Sequence, residues 1–239
     1  MKGEGLTLPP LKYHRMKLFF VVTGNKEELE VIRELKPENI LVSYWYFKNK
    51  SLKDFCKSIG YKPSILLDSG AYTAFTKGKN VNVIDYMAYI DANKRYLSGY
   101  MALDVIGNTD LSVALYDFMR SLGYDPIPVY HYGEEGWVLY YYEQKSKRIA
   151  LGGTVPVRNK QLVSDWCDMI YDKCPNAEYH LLGSSSEVIR RNEHLASCDS
   201  TSWYMMAVNG FPKHIVGKTR ESKIARAKYQ MRQLMKEVS

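Results

Sequence analysis

Short apolar runs alternate with longer amphipathic segments along the chain. Eight of the runs are nearly continuous in apolar residues or rich in β-branched and aromatic ones, a pattern typical of parallel strands buried on both faces. The eighth is the weakest. The predicted strands are Lys17 to Val22, Asn39 to Tyr44, Ser64 to Leu67, Tyr100 to Leu103, Ile127 to Tyr130, Arg148 to Leu151, Glu178 to Leu182 and Leu195 to Cys198.

The segments between the runs carry apolar residues at helical spacing. In the first of them, Leu29, Ile32 and Leu35 fall on one face, and Asn25 is placed to cap the helix. Asn82 is placed in the same way before a later helix. The predicted helices are Lys26 to Leu35, Val83 to Leu97, Leu111 to Leu122, Leu162 to Lys173 and Ser185 to Leu195.

A strand followed by a helical segment, repeated eight times, predicts a parallel sheet closed into a (β/α)₈ (TIM) barrel. The 239 residues are close to the roughly 250 that are typical of one such barrel. No linker, internal repeat or shift in composition marks a boundary, so we predict one domain over residues 1–239. The alternative is an open, doubly wound sheet. Residues 1–16, with Pro9-Pro10, are predicted to be an irregular lead-in.

The last segment, Lys213 to Lys236, contains eight Lys or Arg residues and one acid, Glu221. We predict the closing outer helix of the barrel with a solvated basic face, and a helix that contacts phosphates is the alternative. The residues that form its apolar stripe are Ile224, Ala227, Met231 and Leu234.

Composition narrows the class of protein. Hydrophobic residues make up 46% and charged residues 25%, as in a globular domain, and the net charge of +7 with a pI near 9.0 fits a nucleic-acid partner without requiring one. No apolar run approaches the ~20 residues that span a bilayer, so we expect a cytoplasmic protein with no membrane contact. The four cysteines form no closely spaced pair, which predicts free thiols and no metal site.

Barrel enzymes place their active sites at the carboxyl ends of the strands. Asp68, Asp104 and Asp199 each follow a different predicted strand, so the barrel would bring them to one opening. A single Asp at a strand end is often a helix cap or a turn residue, but three are harder to explain in that way. Crowded carboxylates raise one another's pKa, which would allow one to act as an acid and another as a nucleophile.

Other strand ends carry His131, Gly152-Gly153 and Gly183. The paired glycines would let a flat ligand approach the backbone, or they form only a tight turn. Gly183 and the serines after it would hold a phosphate, or they cap an ordinary helix. Aromatic residues such as Trp45 and Tyr132 follow further strands and could stack on bases, although core packing is the simpler explanation for any one of them.

These motifs, in this order, resemble the tRNA-guanine transglycosylase superfamily. Asp68-Ser69-Gly70-Ala71-Tyr72-Thr73 stands where the family has Asp-Ser-Gly-Gly-Phe-Gln, Asp104 matches an Asp after the next strand, Gly152-Gly153 matches the Gly-Gly turn after strand six, and Asp199-Ser200 matches the late nucleophile. The chain is most similar to the compact phage and bacterial members, which insert 7-deazaguanines into DNA.

The resemblance implies a function and a set of roles. Asp199 would be the nucleophile and Asp68 the acid and base, with Ser69, Gly70, Asp104, Gly152, Gly153 and Gly183 binding substrate. His131 stands where the family has a Gln that reads the base. The family's C-x-C-x-x-C zinc site is missing here, so no metal is expected, and no organic cofactor is needed because the deazaguanine base is a substrate. The expected partners are DNA and the free base, with tRNA less favoured.

Several alternatives remain at this stage. The chain could be a tRNA-guanine transglycosylase, or a barrel enzyme that acts on a small phosphorylated metabolite. It could also be a nucleic-acid-binding module without activity, or a glycosylase that releases guanine by admitting water.

Overall fold

A computed structural model describes residues 16–238 and contains eight parallel strands. Each is followed by at least one helical segment, as predicted. The strands are β1 (Lys17–Val22), β2 (Asn39–Ser43), β3 (Ser64–Asp68), β4 (Leu97–Tyr100), β5 (Val129–His131), β6 (Arg148–Gly152), β7 (Glu178–Leu181) and β8 (Leu195–Ser200).

The strand order is β4-β3-β2-β1-β8-β7-β6-β5, so β4 and β5 are the two ends of the hydrogen-bonded sheet. A single parallel bridge between Met101 and Ile127 joins these ends. Ala102 N donates to Ile127 O at 2.7 Å, and Ile127 N donates to Tyr100 O at 2.8 Å. The sheet therefore closes into an irregular barrel with a narrow seam, which confirms the predicted fold class and excludes the open sheet.

The helices lie around this barrel, and a short 3₁₀ turn, Lys94–Tyr96, precedes β4. They are α1 (Lys26–Leu35), α2 (Tyr44–Phe47), α3 (Leu52–Ile59), α4 (Ala71–Thr76), α5 (Val83–Asn93), α6 (Thr109–Ser121), α7 (Gly136–Lys145), α8 (Lys160–Lys173), α9 (Glu187–Arg190), α10 (Ser202–Val208) and α11 (Arg220–Glu237). Both predicted caps are present, since Asn25 accepts from the N–H of Glu28 and Asn82 from that of Ile84.

Several predicted boundaries were wrong, among them those of β2, β4 and α9. Tyr100 is the last residue of β4, which begins at Leu97, inside the stretch predicted as helix. Tyr44 begins α2 and does not extend β2. The helix predicted over Ser185 to Leu195 shrinks to α9, because Asn192 is drawn out of it by side-chain hydrogen bonds to Ser164 and Asp168 on α8.

Two apolar layers hold the barrel together. One fills the barrel interior with Phe19, Leu41, Leu66 and Met101, together with residues of β5 and β6. The other lies between the strands and the surrounding helices and contains the neighbours in sequence of those residues, such as Leu67. Successive residues of a strand point to opposite faces, so this division tells us which side chains face the interior.

The closing helix α11 is confirmed. Ile224, Ala227 and Met231 are buried, and α11 packs against α10 and α1. Four of its basic residues pair with carboxylates of α1, which leaves them less available to phosphate groups. The pairs are Arg220 with Glu30, Lys223 with Glu27, and both Lys228 and Arg232 with Glu34.

The remaining predictions concern the ends of the chain and its cysteines. All but the last residue of the predicted lead-in, residues 1–15, lies outside the described residues. All four cysteines are free and buried, as predicted. Among residues 16–238, no helix is long and apolar enough to cross a membrane.

Candidate active site

The alternation of side chains along the strands places two of the predicted acidic residues on the interior face of the barrel. Leu67 and Cys198 lie in the outer apolar layer, so their neighbours Asp68 and Asp199 face the interior. Asp68 is the last residue of β3, and Asp199 lies within β8, one residue before its end, where the sequence had placed it just beyond the strand. The two carboxylates are therefore brought to the same interior space from strands 131 residues apart in sequence (199 minus 68).

Gly70 explains the local form of the Asp-Ser-Gly motif. Its φ is +78°, a conformation that glycine adopts without strain, and its N–H donates to Asp68 Oδ2 at 3.0 Å. A Cβ at this position would lie 2.9 Å from the backbone N of Trp45, so a larger residue would push α2 away. Gly70 thus holds the Asp68 carboxyl and allows α2 to approach the site.

Asp104 is held from two sides. Ser69 Oγ donates to its Oδ1 at 3.1 Å, and His131 Nε2 lies 3.1 Å from its Oδ2. The other ring nitrogen, His131 Nδ1, lies 3.5 Å from Glu134 Oε1. The second oxygen of Glu134, Oε2, accepts from the backbone N–H of His131 at 2.8 Å. Thr109 Oγ1 also donates to Glu134, at 3.0 Å. Both ring nitrogens of His131 are therefore occupied by carboxylates.

The net effect of burial and of nearby charges is to raise the pKa of two groups. Burial alone would lower the pKa of His131, but its contacts with Asp104 and Glu134 raise it to about 9, which keeps the ring charged at neutral pH. Burial, followed by the charges of Asp104 and Asp199, raises the pKa of Asp68 to about 7. Asp68 is therefore a carboxyl that can donate or accept a proton near neutral pH.

Asp199 has different neighbours. The N–H of Gly183 donates to both of its oxygens, at 3.0 and 3.1 Å, and His180 Nε2 lies 3.3 Å from Oδ2. The residue is 3% exposed. Gly183, predicted to hold a phosphate, thus uses its N–H on Asp199, and its φ of +71° brings it close to Val155.

The glycine pair after strand six is packed against His131. A Cβ on Gly152 would lie 2.9 Å from His131 Cδ2, and a Cβ on Gly153 would lie 3.0 Å from the backbone N of Tyr132. The Gly152 carbonyl accepts from Tyr132 N at 3.0 Å. Gly152 therefore makes room for the imidazole, and the role of the glycine pair in binding a flat ligand stays a prediction.

We predict that Gly152→Ala destabilises the protein by about 1–3 kcal/mol, the usual cost of overpacking. The added methyl group meets His131, which two carboxylates hold in place, and also Val129 Cγ1 at 3.1 Å. Urea unfolding followed by circular dichroism measures the change. Gly136→Ala is the matched control, because nothing lies within 4 Å of its added Cβ. Equal stability of the two variants would contradict the packing described.

Aromatic and basic side chains lie on α2 and α4, beside Asp68. Tyr46, Tyr72 and Phe75 are 42%, 55% and 58% exposed. Trp45 has Lys48 Nζ 4.9 Å and Lys77 Nζ 5.4 Å from its ring centroid. Because α2 and α4 follow β2 and β3 directly, this surface belongs to the opening of the barrel that contains the acidic residues.

A cavity of about 330 Å³ lies next to this surface, and its lining includes Ala71, Phe75, Leu103 and Asp104. It is mostly apolar, with Asp104 among its polar contributors. Its size is at the lower end of the ~300–1,000 Å³ found for small-molecule sites. A second cavity, of about 240 Å³, opens at the amino ends of the strands and is lined partly by Lys17, Arg148 and Glu178.

Sequence reasoning missed three contributors to this site. His180 is hidden inside an apolar run, and only the two-residue alternation of β7 would have shown that it faces the interior with Asp199. Glu134 lies on the loop after β5 and Thr109 is the first residue of α6, and no spacing in the sequence reveals that the two side chains meet. Within residues 16–238, no group of three or more metal-binding side chains occurs, and the expected absence of a metal stays a prediction.

Comparisons with known proteins agree on the fold. No family model matches the chain, and no curated protein sequence matches it. Among solved structures, a mutant tryptophan synthase alpha-subunit from Pyrococcus furiosus has a TM-score of 0.59 at 12% identity, covering 92% of this chain and 98% of that one. A putative fructose-1,6-biphosphate aldolase from Coccidioides immitis has a TM-score of 0.58 at 10% identity, covering 94% and 90%.

A third similar structure is orotidine 5'-monophosphate decarboxylase from Methanocaldococcus jannaschii, with a TM-score of 0.50 at 13% identity, covering 92% of this chain and 99% of that one. At such identities the likeness establishes the barrel fold alone. None of the three named structures is a transglycosylase.

Proposed function

We propose that the protein exchanges a guanine base in nucleic acid, most favourably DNA, for a free 7-deazaguanine. The observation that carries this proposal is that two interior carboxyl groups have different surroundings. Asp68 has a pKa of about 7, whereas Asp199 is held by the Gly183 N–H and by His180. An acid–base group beside a positioned nucleophile is what glycosyl transfer through a covalent intermediate requires.

In the first half of the reaction, an oxygen of Asp199 attacks C1′ of the target nucleotide. The bond from C1′ to the base nitrogen breaks, its electron pair leaves with the base, and Asp68 supplies the proton that the base takes up. The product is a glycosyl ester on Asp199. The pKa of Asp68, raised to about 7, suits this role, because the carboxyl can then both donate and accept a proton near neutral pH.

In the second half, Asp68 takes the proton from the incoming deazaguanine, whose nitrogen attacks C1′ and releases Asp199. Asp104 would accept hydrogen bonds from N–H groups of the base. Its oxygens already accept from Ser69 and His131, but each carboxylate oxygen has two lone pairs, so capacity remains. We assign His131 to holding Asp104, because both of its ring nitrogens are engaged.

The surface on α2 and α4 supports a polymer as the substrate. Exposed aromatic rings such as Tyr46 and Tyr72 can stack on bases, at about 1–3 kcal/mol per base, and Lys48 and Lys77 can contact phosphates. A base in duplex DNA must also leave the stack, at a cost of a few kcal/mol, which such contacts would offset. No organic cofactor enters this scheme.

A second candidate is an enzyme that acts on a small phosphorylated metabolite. The names of two of the similar structures, the aldolase and the decarboxylase, point to phosphorylated substrates and favour this candidate over base exchange. In this chain, Thr154 Oγ1 and Ser186 Oγ are buried without a hydrogen-bond partner on the loops after β6 and β7, and Lys160 Nζ lies 3.5 Å from Thr154 O. Two such hydroxyls and an amine could bind phosphate oxygens.

The decisive experiment incubates the protein with labelled guanine and either duplex DNA, single-stranded DNA or tRNA, and counts label in the recovered polymer. We expect label in DNA. Label in tRNA alone would replace DNA by tRNA in the proposal. Label in neither, with pre-labelled guanine released from DNA, would identify a glycosylase. Neither incorporation nor release, together with thermal stabilisation by sugar phosphates or nucleoside monophosphates, would favour the second candidate.

A further inference from the structure

A buried histidine connects Asp199 to a serine inside the barrel. His180 is 5% exposed and lies on β7, with Nε2 3.3 Å from Asp199 Oδ2 and Nδ1 2.8 Å from Ser197 Oγ. The edge-on ring of Phe19, 5.5 Å away between centroids, packs against the imidazole. The imidazole therefore has a fixed place with a polar partner at each nitrogen.

The partners select one form of the ring. A carboxylate only accepts hydrogen bonds, so Nε2 must carry a proton to bond Asp199. A serine hydroxyl can both donate and accept, so Ser197 can donate to Nδ1 when Nε2 carries the proton. Asp199 thereby favours the tautomer whose N–H points at it, and Ser197 holds the other ring nitrogen in place.

The oxygens of Asp199 are consequently unequal. Oδ2 accepts from both His180 and Gly183, whereas among residues 16–238 Oδ1 accepts from Gly183 alone, at 3.0 Å. The oxygen with fewer donors keeps more of its electron density for attack, and the other is held in place.

We infer that His180 is a positioning residue that fixes Asp199 through Oδ2 and leaves Oδ1 as the attacking atom. The inference rests on the proposed base exchange and adds to it a residue and an atom. A lone pair of Oδ1 forms the bond to C1′ while the bond from C1′ to the base breaks and the pair leaves with the base. Oδ2 becomes the ester carbonyl oxygen and keeps its donors, and it regains charge when the incoming base releases the sugar.

Two variants separate positioning from packing. His180→Phe keeps a ring but removes the donor, whereas His180→Gln keeps an N–H able to reach Asp199. We expect His180→Phe to slow formation of the covalent adduct about 10²-fold, the usual effect of losing one such donor, with KM for polymer and free base within twofold of wild type. His180→Gln should stay within about tenfold of wild type.

Ser197→Ala tests the second hydrogen bond of His180, the one between Nδ1 and Ser197. The imidazole and its volume remain, but the hydrogen bond that holds Nδ1 in place is lost, so we expect a several-fold loss in the rate of adduct formation. Equal losses in His180→Phe and His180→Gln, accompanied by equal losses of thermal stability, would assign His180 to packing alone and overturn the inference. So would a His180→Phe variant with the wild-type rate.

A measurement that does not depend on activity completes the test. Nitrogen-15 NMR of histidine-labelled wild-type protein reports which ring nitrogen of His180 carries the proton, with the His180→Gln variant identifying the signal. We expect the Nε2–H form. The Nδ1–H form in a protein that exchanges base would reject the inference and leave the proposed function intact. A wild-type protein that exchanges no base would reject the proposed function, and with it the role of His180 in the reaction.

Discussion

Asp199→Asn is expected to abolish base exchange, with a loss of at least ~10⁴-fold, because an amide cannot form the glycosyl ester and removal of a nucleophile is among the largest single effects known in enzymes. Wild-type protein incubated with DNA in the absence of free base should yield a protein–DNA adduct that survives a denaturing gel. The variant should yield none. An adduct in Asp199→Asn at the wild-type level would remove Asp199 from the nucleophile role.

A matched control is available on an outer helix. Asp172 is exposed on the last turn of α8, which lies outside the barrel, so Asp172→Asn makes the same chemical change away from the interior carboxylates. It should form adduct and exchange base at the wild-type rate. Circular dichroism of both variants establishes that the barrel is folded before activities are compared.

Asp68→Asn is expected to slow exchange by roughly 10²–10⁴-fold, the range for removal of a general acid. Because the pKa of Asp68 is about 7, the wild-type rate of adduct formation should fall as pH rises through 7, where the carboxyl loses the proton it must donate. The variant has no such group, so its residual rate should lack this decline. A decline near pH 7 that persists in Asp68→Asn would assign it to another residue.

The same substitution should stabilise the fold at high pH. In the unfolded chain Asp68 titrates near 3.8, whereas in the native protein it does so near 7. Between these values the unfolded chain has lost a proton that the native protein retains, so native stability falls as pH rises and the loss is complete above pH 7. Asp68→Asn removes the titration.

The size of that stabilisation follows from the shift. At about 1.4 kcal/mol per pKa unit the shift from 3.8 to about 7 amounts to at most about 4 kcal/mol, or roughly 8–16 °C in Tm for a chain of this length. The variant should melt close to wild type at pH 4 and above it at pH 8. A variant that melts below wild type at pH 8 would contradict the raised pKa of Asp68.

The sequence predicted the barrel and the strand ends because buried parallel strands appear as apolar runs. Its failures have local causes. Leu97-Ser98-Gly99-Tyr100 lacks an apolar signature, because Gly99 lies against the guanidinium of Arg148, 2.9 Å from where its Cβ would be. The stretch from Ser185 to Leu195 has helical spacing, but tertiary hydrogen bonds of Asn192 interrupt it. Local periodicity carries no information about either contact.

The site likewise contains residues that the sequence predicted and contacts that it did not. Asp68, Asp104 and Asp199 could be named because each stands at or just beyond the end of a predicted strand, where chain order alone predicts convergence. The partners of those residues could not. That His131 would be enclosed between Asp104 and Glu134, and that Gly183 would bond Asp199, depends on side-chain and loop geometry that no spacing in the sequence encodes.

Because β4 and β5 are joined at a narrow junction, we expect the barrel to deform more easily there than between β1 and β8. One bridge, Met101 to Ile127, joins them, whereas β1 and β8 align over four residue pairs. Regions with few backbone hydrogen bonds open at lower free energy. Asp104 and His131 lie beside this weakly joined junction, whereas Asp199 lies on β8, which is well paired with β1. If the proposed reaction holds, the part of the site that contacts the base would adjust to its substituents while Asp199 stays in position.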